Sequence, residues 1–279
     1  MSLKYDEYFA ALKQEVEEDR LVLPTLPEVA LKIRDAVEKE STTTEQIADI
    51  LSQDAALSVR LLKVVNSPLY RTRSPIDDLH SAVTRMGGIR VRDLIVNLAI
   101  KQMFKPASKV MEKHFRRAWS TSVNVAAICQ IIAMTVPGIR KEQALLAGLI
   151  HNIGTLPLLM MAESNKDYID DAVELELMLY TLQGRAGEFM LKSWHFSDNL
   201  IAVVSQCHNF KYDHIGDADL VNLVQVAMLQ GGYVIDEQAS NDWSSVPSFS
   251  KLGMATDVNI LHIKENQQKL DNARKVLNV

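Results

Sequence analysis

The stretch Leu145-Leu146-Ala147-Gly148-Leu149-Ile150-His151-Asn152-Ile153-Gly154-Thr155-Leu156 constrains this chain most. Its apolar residues fall on nearly every side of a helix, which places it inside a protein rather than on its surface. One histidine and one amide interrupt it, and both need partners once buried. Gly154 follows, where a chain can turn sharply or let another element approach. The pattern predicts one helix running on to about Met160.

The rest of the chain supplies helices to surround it. Tyr5, Tyr8, Phe9, Leu12 and Val16 recur at helical spacing. Thr25 can cap the next helix and Pro27 suits its first turn, with Val29, Ile33 and Val37 as the stripe. Thr43 and Gln46 form a capping-box pattern before Ile47, Ile50 and Leu51. Asp54 caps a helix carrying Leu57, Leu61, Leu62 and Val65, and Asn66-Ser67-Pro68 stops it. Further helices are expected from Ile76 to Met86, ending at Gly87-Gly88, and from Val91 to Phe104. Pro106 marks a boundary, and a long helix follows from Val110 to Met134. Beyond the central stretch, Asn165 to Leu182, with an early acidic run through Asp167 and Asp170, and Gly184 to Trp194 read as two helices. Leu200 to Cys207 and Leu220 to Tyr233 give two more. Asp236 to Pro247 reads as an exposed loop, before a last helix with Val258, Leu261, Leu270 and Val276. No alternating strand pattern and no repeat is visible, so the fold class is all-α. With 279 residues, 47% of them hydrophobic, the chain can bury a large core.

Charge narrows the partners. The net charge of -5 argues against a dedicated nucleic-acid binder. Inside this acidic chain, residues 60–105 carry nine positive residues against three negative, a net +6. Arg60, Lys63, Arg71, Arg73, Arg85, Arg90 and Arg92 are the candidate patch for a phosphate-bearing ligand or an acidic partner. A solvated helix face is the plainer account of the same residues. A DNA-reading helix pair between Thr43 and Asn66 is disfavoured, because its apolar residues are committed to a core. Cys129 and Cys207 are too few for a disulfide framework and read as buried, reduced residues of a cytoplasmic protein. The N-terminus has no signal-peptide pattern. No uncharged apolar stretch is expected to approach the ~20 residues that span a bilayer.

The central stretch resembles the histidine-aspartate motif of the HD phosphohydrolase superfamily, with Asn152 where the aspartate stands. The region from about 22 to 104 resembles the N-terminal half of the HDOD domain, the HD-related output domain of bacterial signalling proteins. Carrying that resemblance are Leu23-Pro24-Thr25-Leu26-Pro27-Glu28-Val29-Ala30 and Ile50-Leu51-Ser52-Gln53-Asp54-Ala55-Ala56-Leu57. Leu61-Leu62-Lys63-Val64-Val65-Asn66-Ser67-Pro68-Leu69-Tyr70 and Ala82-Val83-Thr84-Arg85-Met86-Gly87-Gly88 follow in the same order. The resemblance implies a multi-helical HDOD bundle over residues 21–235, with an N-terminal half of about 21–105 and an HD-like half of about 106–235. Residues 1–20 then form an N-terminal helix, and 236–279 a C-terminal loop and helix.

Enzymes of the HD superfamily hold metal ions with histidines and aspartates, and the metal activates water toward a phosphate. Here the matching positions fall at Thr121, His151, Asn152, Gln183, Cys207 and His208. An amide oxygen is a far weaker ligand than a carboxylate, and Thr121 and Gln183 are neutral too. Cys207 and His208, adjacent on a helix, point about 100° apart and do not share an ion. A catalytic metal needs three good protein ligands. The sequence therefore predicts no metal, no cofactor and no catalytic residue. It predicts a neutral His151, bonded to Asn152, Thr121, Gln183 or His208. His80, His114, His195, His214 and His262 read as structural or surface residues. The expected role is a non-catalytic regulatory protein that contacts signalling proteins in trans. The alternatives are a divergent metal-dependent phosphohydrolase acting on nucleotides or cyclic dinucleotides, and a nucleotide-binding sensor without turnover.

Overall fold

Thr43 with Gln46 and Asp54, read from the sequence as caps, do start their helices. In a computed structural model of the chain, the Gln46 backbone N–H donates to Thr43 Oγ1 at 3.3 Å, and the Thr43 N–H donates to Gln46 Oε1 at 2.9 Å. Both orphan donors of that helix end are thus satisfied reciprocally. The Leu57 N–H donates to Asp54 at 3.0 Å and the Ser81 N–H to Asp78 at 2.7 Å, capping the next two helices. Gly87, at φ +82, joins two helices in a conformation that side chains resist.

The structure describes residues 2–18, 20–21, 27–39, 41–68, 70, 75–104, 109, 111–163, 171–234, 242–262 and 264–277. Leu23 to Leu26 with the Thr25 cap, Leu69, Arg71, Arg73, Lys105, Pro106, the acidic run at Asp167 and Asp170, and Asp236 lie outside the described residues, as does the side chain of Val276. Helix α1 is Ser2–Glu17. The N-terminal half follows as α2 (Glu28–Glu38), α3 (Thr44–Ser52), α4 (Ala55–Val65), α5 (Leu79–Met86) and α6 (Gly88–Met103). The second half has α7 (Glu112–Ala133), α8 (Lys141–Ile150), α9 (Thr155–Glu163), α10 (Ala172–Ser193), α11 (Asp198–Gln206) and α12 (Leu220–Gly231). The short α13 (Pro247–Lys251) and α14 (Lys264–Leu277) close the chain, and there is no strand among the described residues.

Helix α7 is the spine of the second half. It packs along α8 and α12, and α14 lies across it. Gly148 of α8 lets that pair close up, since a Cβ there would meet the Ala126 backbone. Helix α10 packs on α9, α11 and α1. Helix α6 links the halves, packing on α2, α4 and α5 on one side and α8 on the other. One buried apolar cluster runs through all of them, from Tyr5 and Leu12 of α1 to Leu270 and Ala273 of α14. Salt bridges Lys4–Glu174 at 2.8 Å and Asp6–Arg185 at 2.6 Å lie along the α1–α10 contact.

Several expectations are corrected. The central stretch is not one helix: α8 stops at Ile150, His151–Gly154 form a turn, and α9 starts at Thr155. Pro157 breaks the helix ladder here, since it has no N–H for the Ile153 carbonyl and its ring crowds that carbonyl, and Gly154 lets the turn sit against the Gln183 carbonyl oxygen and the Gly187 nitrogen of α10. Conversely, α10 is a single helix through Gly184, where two were expected. Its glycines admit neighbours: a Cβ on Gly184 would lie 3.2 Å from the Val204 oxygen. Pro27 stands just before α2, at its N-cap position and without a side-chain cap, rather than in its first turn. Val258 and Leu261 precede α14 rather than belonging to it. Finally, Lys141–Glu163 is long and apolar enough to cross a membrane by length and composition, contrary to expectation. Of its apolar window, 94% is buried inside the protein, so the core accounts for its hydrophobicity.

Candidate functional site

Helical periodicity assembles one cavity of about 570 Å³. His114, Arg117, Ala118, Thr121 and Asn124 of α7 recur at three- and four-residue steps, so they share a face. Glu176, Leu179, Tyr180 and Gln183 of α10 do the same from the opposite wall. The turn between α8 and α9 supplies His151 and Asn152, with Thr155 at the start of α9. His208, just past α11, and Tyr233, just past α12, complete the lining.

Five of the six positions read from the sequence therefore meet here: Thr121, His151, Asn152, Gln183 and His208. Cys207 does not line the cavity. Its thiol donates backwards, to the carbonyls of His151 at 3.7 Å and Val204 at 3.9 Å, and burial pushes its pKa up to about 12.

Asn152 spends one acceptor and one donor on the fold. Ser122 donates its hydroxyl to Asn152 Oδ1 at 2.5 Å, and Asn152 Nδ2 donates to the Ala118 carbonyl at 3.1 Å. The amide thus ties the turn to two α7 positions one helical turn apart. His151 finds a partner the sequence reading did not name: its Nδ1 lies 2.6 Å from the Gly148 carbonyl. A carbonyl only accepts, so Nδ1 carries the proton and Nε2 keeps its lone pair in the neutral ring. Burial lowers the His151 pKa to about 4, outweighing the Gly148 bond, and nearby His208 adds to the lowering. His208 also falls to about 4 through burial. Neither His208 nitrogen has a hydrogen-bond partner among the described residues. Its ring meets Tyr180 edge-on at 5.7 Å.

Formal charge appears only at the rim. Arg117 donates to Glu176 Oε1 at 2.8 Å, and His114 Nδ1 lies 3.9 Å from the same oxygen. His114, expected to be structural or on the surface, in fact lines the cavity. Arg117, Asn124, Tyr180 and Tyr233 were not singled out from the sequence either. A partial signal was present in α7, where the polar residues at 114, 117, 121 and 124 share one helical face, but other polar residues of the same helix mask it.

The donor set does not fit a catalytic divalent ion. His151 and His208 are neutral imidazoles, His114 stands apart beside Glu176, Asn152 offers only a neutral amide oxygen that already accepts from Ser122, and Glu176, the single carboxylate among the lining residues, is paired with Arg117. Three good protein ligands are needed. Among the described residues, no group of three or more His, Cys, Asp or Glu is placed to hold an ion.

The basic patch lies apart from the cavity and is partly neutralised. Arg92 pairs with Asp93 at 2.6 Å, and Arg90 lies 3.9 Å from Glu142. Both acids are buried, and burial pushes the Asp93 carboxyl up despite Arg92 and Arg140 beside it. Arg60 has a buried, unpartnered Nη1, while Lys63 and Arg85 are exposed.

The sequence profile of the HDOD domain matches residues 23–210. A Shewanella amazonensis SB2B protein, provisionally described as a metal-dependent phosphohydrolase, is 28% identical. Its crystal structure superposes with a TM-score of 0.83, covering 99% of this chain and 100% of that one. An HDOD domain protein with unknown function from Geobacter sulfurreducens shares the fold at 21% identity and a TM-score of 0.65, over 96% of each chain. An uncharacterized protein of Treponema pallidum (strain Nichols) is 27% identical over 137 residues, 47% of this chain. The match spans only 25% of that longer protein.

Proposed function

From the premise that the chain belongs to the HDOD domain family, we propose that it is a non-catalytic signal-transduction protein that regulates other signalling proteins by contact in trans. The observation that carries this reading is the state of Asn152. Where hydrolysis would need an anionic oxygen facing an ion, a neutral amide is tied to Ser122 and Ala118. The exposed Lys63 offers an acidic partner a positive charge.

A metal-dependent phosphohydrolase is the second reading. It is favoured by the description of the Shewanella amazonensis relative and by His151 and His208 sharing one cavity. A sensor that binds a nucleotide without turnover is the third, favoured by the cavity with Arg117 at its rim.

Turnover separates the first two. The full chain, supplied in turn with Mn²⁺, Mg²⁺, Fe²⁺ and Ni²⁺, is assayed on aryl phosphate mono- and diesters, nucleotides and cyclic dinucleotides. The regulatory reading predicts no hydrolysis above that of a His151→Ala variant. Hydrolysis that disappears in that variant establishes the enzyme instead.

A further inference from the structure

The inner end of the cavity is polar but carries no formal charge, and both nitrogens of His208 there lack partners. We propose that it binds an uncharged heterocycle through a hydrogen-bonding edge, of the kind a free nucleobase presents, and that it takes neither a phosphate nor a metal ion there. This rests on the non-catalytic reading of the cavity given above.

Hydrogen-bond polarity carries the argument. His151 Nδ1 is committed as a donor to the Gly148 carbonyl at 2.6 Å, so Nε2 offers a lone pair. The group that meets it must donate. His208 has both nitrogens buried and unpartnered, which in a neutral ring means one donor and one acceptor waiting for a ligand. Gln183, which is 9% exposed, adds an amide with both functions, and Thr121 adds a hydroxyl. An N–H beside a ring nitrogen or a carbonyl, repeated along one planar edge, answers such a set. Tyr180 presents an aromatic wall for the ring. The volume of about 570 Å³ is ample for such a molecule.

The same polarity rejects the alternatives. An ionised phosphate is acceptor-only and would face the lone pair of Nε2. It is normally held by Arg or Lys, and the one such residue lining the cavity, Arg117, is paired with Glu176 at the rim. Burial keeps both imidazoles neutral at physiological pH, so they do not supply the missing charge. A cation would find no free carboxylate.

Calorimetric titration of the full chain with adenine, guanine, hypoxanthine, cytosine and uracil, and in parallel with inorganic phosphate and MnCl₂, tests the proposal. At least one base binds, and phosphate and Mn²⁺ do not at the same concentration. Methylating the ring N–H of the bound base weakens binding roughly tenfold or more, since a buried acceptor is then left unpaired. Gln183→Leu does the same, with its thermal unfolding measured to confirm that it folds; the methylated base needs no variant at all. Phosphate or Mn²⁺ binding without any base binding overturns the proposal. So does the failure of all five bases, or a base whose affinity ignores methylation. The titration contains no turnover, so its failure leaves the regulatory reading intact, while hydrolysis in the activity assay removes that reading by itself.

Discussion

At the scale of the residue, Asn152 and the two cavity histidines decide what this site can do. Restoring the acid by Asn152→Asp does not simply restore a ligand. The new carboxylate would face the Ala118 carbonyl, which now accepts from Asn152 Nδ2 at 3.1 Å. Two acceptors then confront each other in a buried place. We expect a loss of about 1–3 kcal/mol in urea unfolding; an unchanged midpoint would show that the amide is not the tie described. The histidines set a pH dependence. Both fall from an ordinary 6.5 to about 4, so between those values the unfolded chain binds more protons than the folded one. Stability is therefore unaffected by these groups above about pH 6.5 and declines as pH falls toward 4. The loss is up to about 3 kcal/mol for each. Unfolding of His208→Gln between pH 4 and 7 should show a shallower acid limb; an identical limb would mean that His208 is not buried neutral. The pairing of His151 with Asn152 in one site was legible in the sequence. The Gly148 partner was not. That carbonyl is the backbone of the preceding turn, and nothing in the residue types marks it as the partner.

At the scale of the element, the sequence spoke clearly where signals are local and poorly where they are tertiary. Thr43 with Gln46, Asp54 and Gly87 each satisfy or terminate a helix by themselves, and each does so in the structure. At His151–Gly154 the close seat on α10, far along the chain, is the part that does not show locally. A stretch apolar on every side has no periodicity to lose, so locally the turn is marked only by Gly154 and by Pro157, which has no N–H for the Ile153 carbonyl. Gly184 misled in the opposite sense: a glycine mid-helix costs about 1 kcal/mol in isolation, but here it admits the Val204 carbonyl. Gly154 is the tightest of these contacts, since a Cβ would run into backbone atoms of Gln183 and Gly187. Backbone cannot swing away as a side chain can. Gly154→Ala should therefore lower stability by about 3 kcal/mol or more, seen as a large fall in melting temperature. A variant that melts with the parent would refute the close α9–α10 approach.

At the scale of the whole molecule, one core joins both halves and both terminal helices, and the charge count of the sequence changes meaning. The net +6 of residues 60–105 treated every side chain as free. In the fold, Arg90 and Arg92 face buried acids, one of which, Glu142, comes from outside that segment. Sequence alone could not reveal this, because the neutralising residue lies on another helix. What remains is a molecule with a large neutral-floored cavity in one half and a modest basic face in the other. The metal content of the full chain, purified without chelators or affinity metals, tests this account most directly. Elemental analysis should find well under one equivalent of Mn, Fe, Ni or Zn per chain, unchanged by His151→Ala. One equivalent in the parent that vanishes in the variant would contradict it.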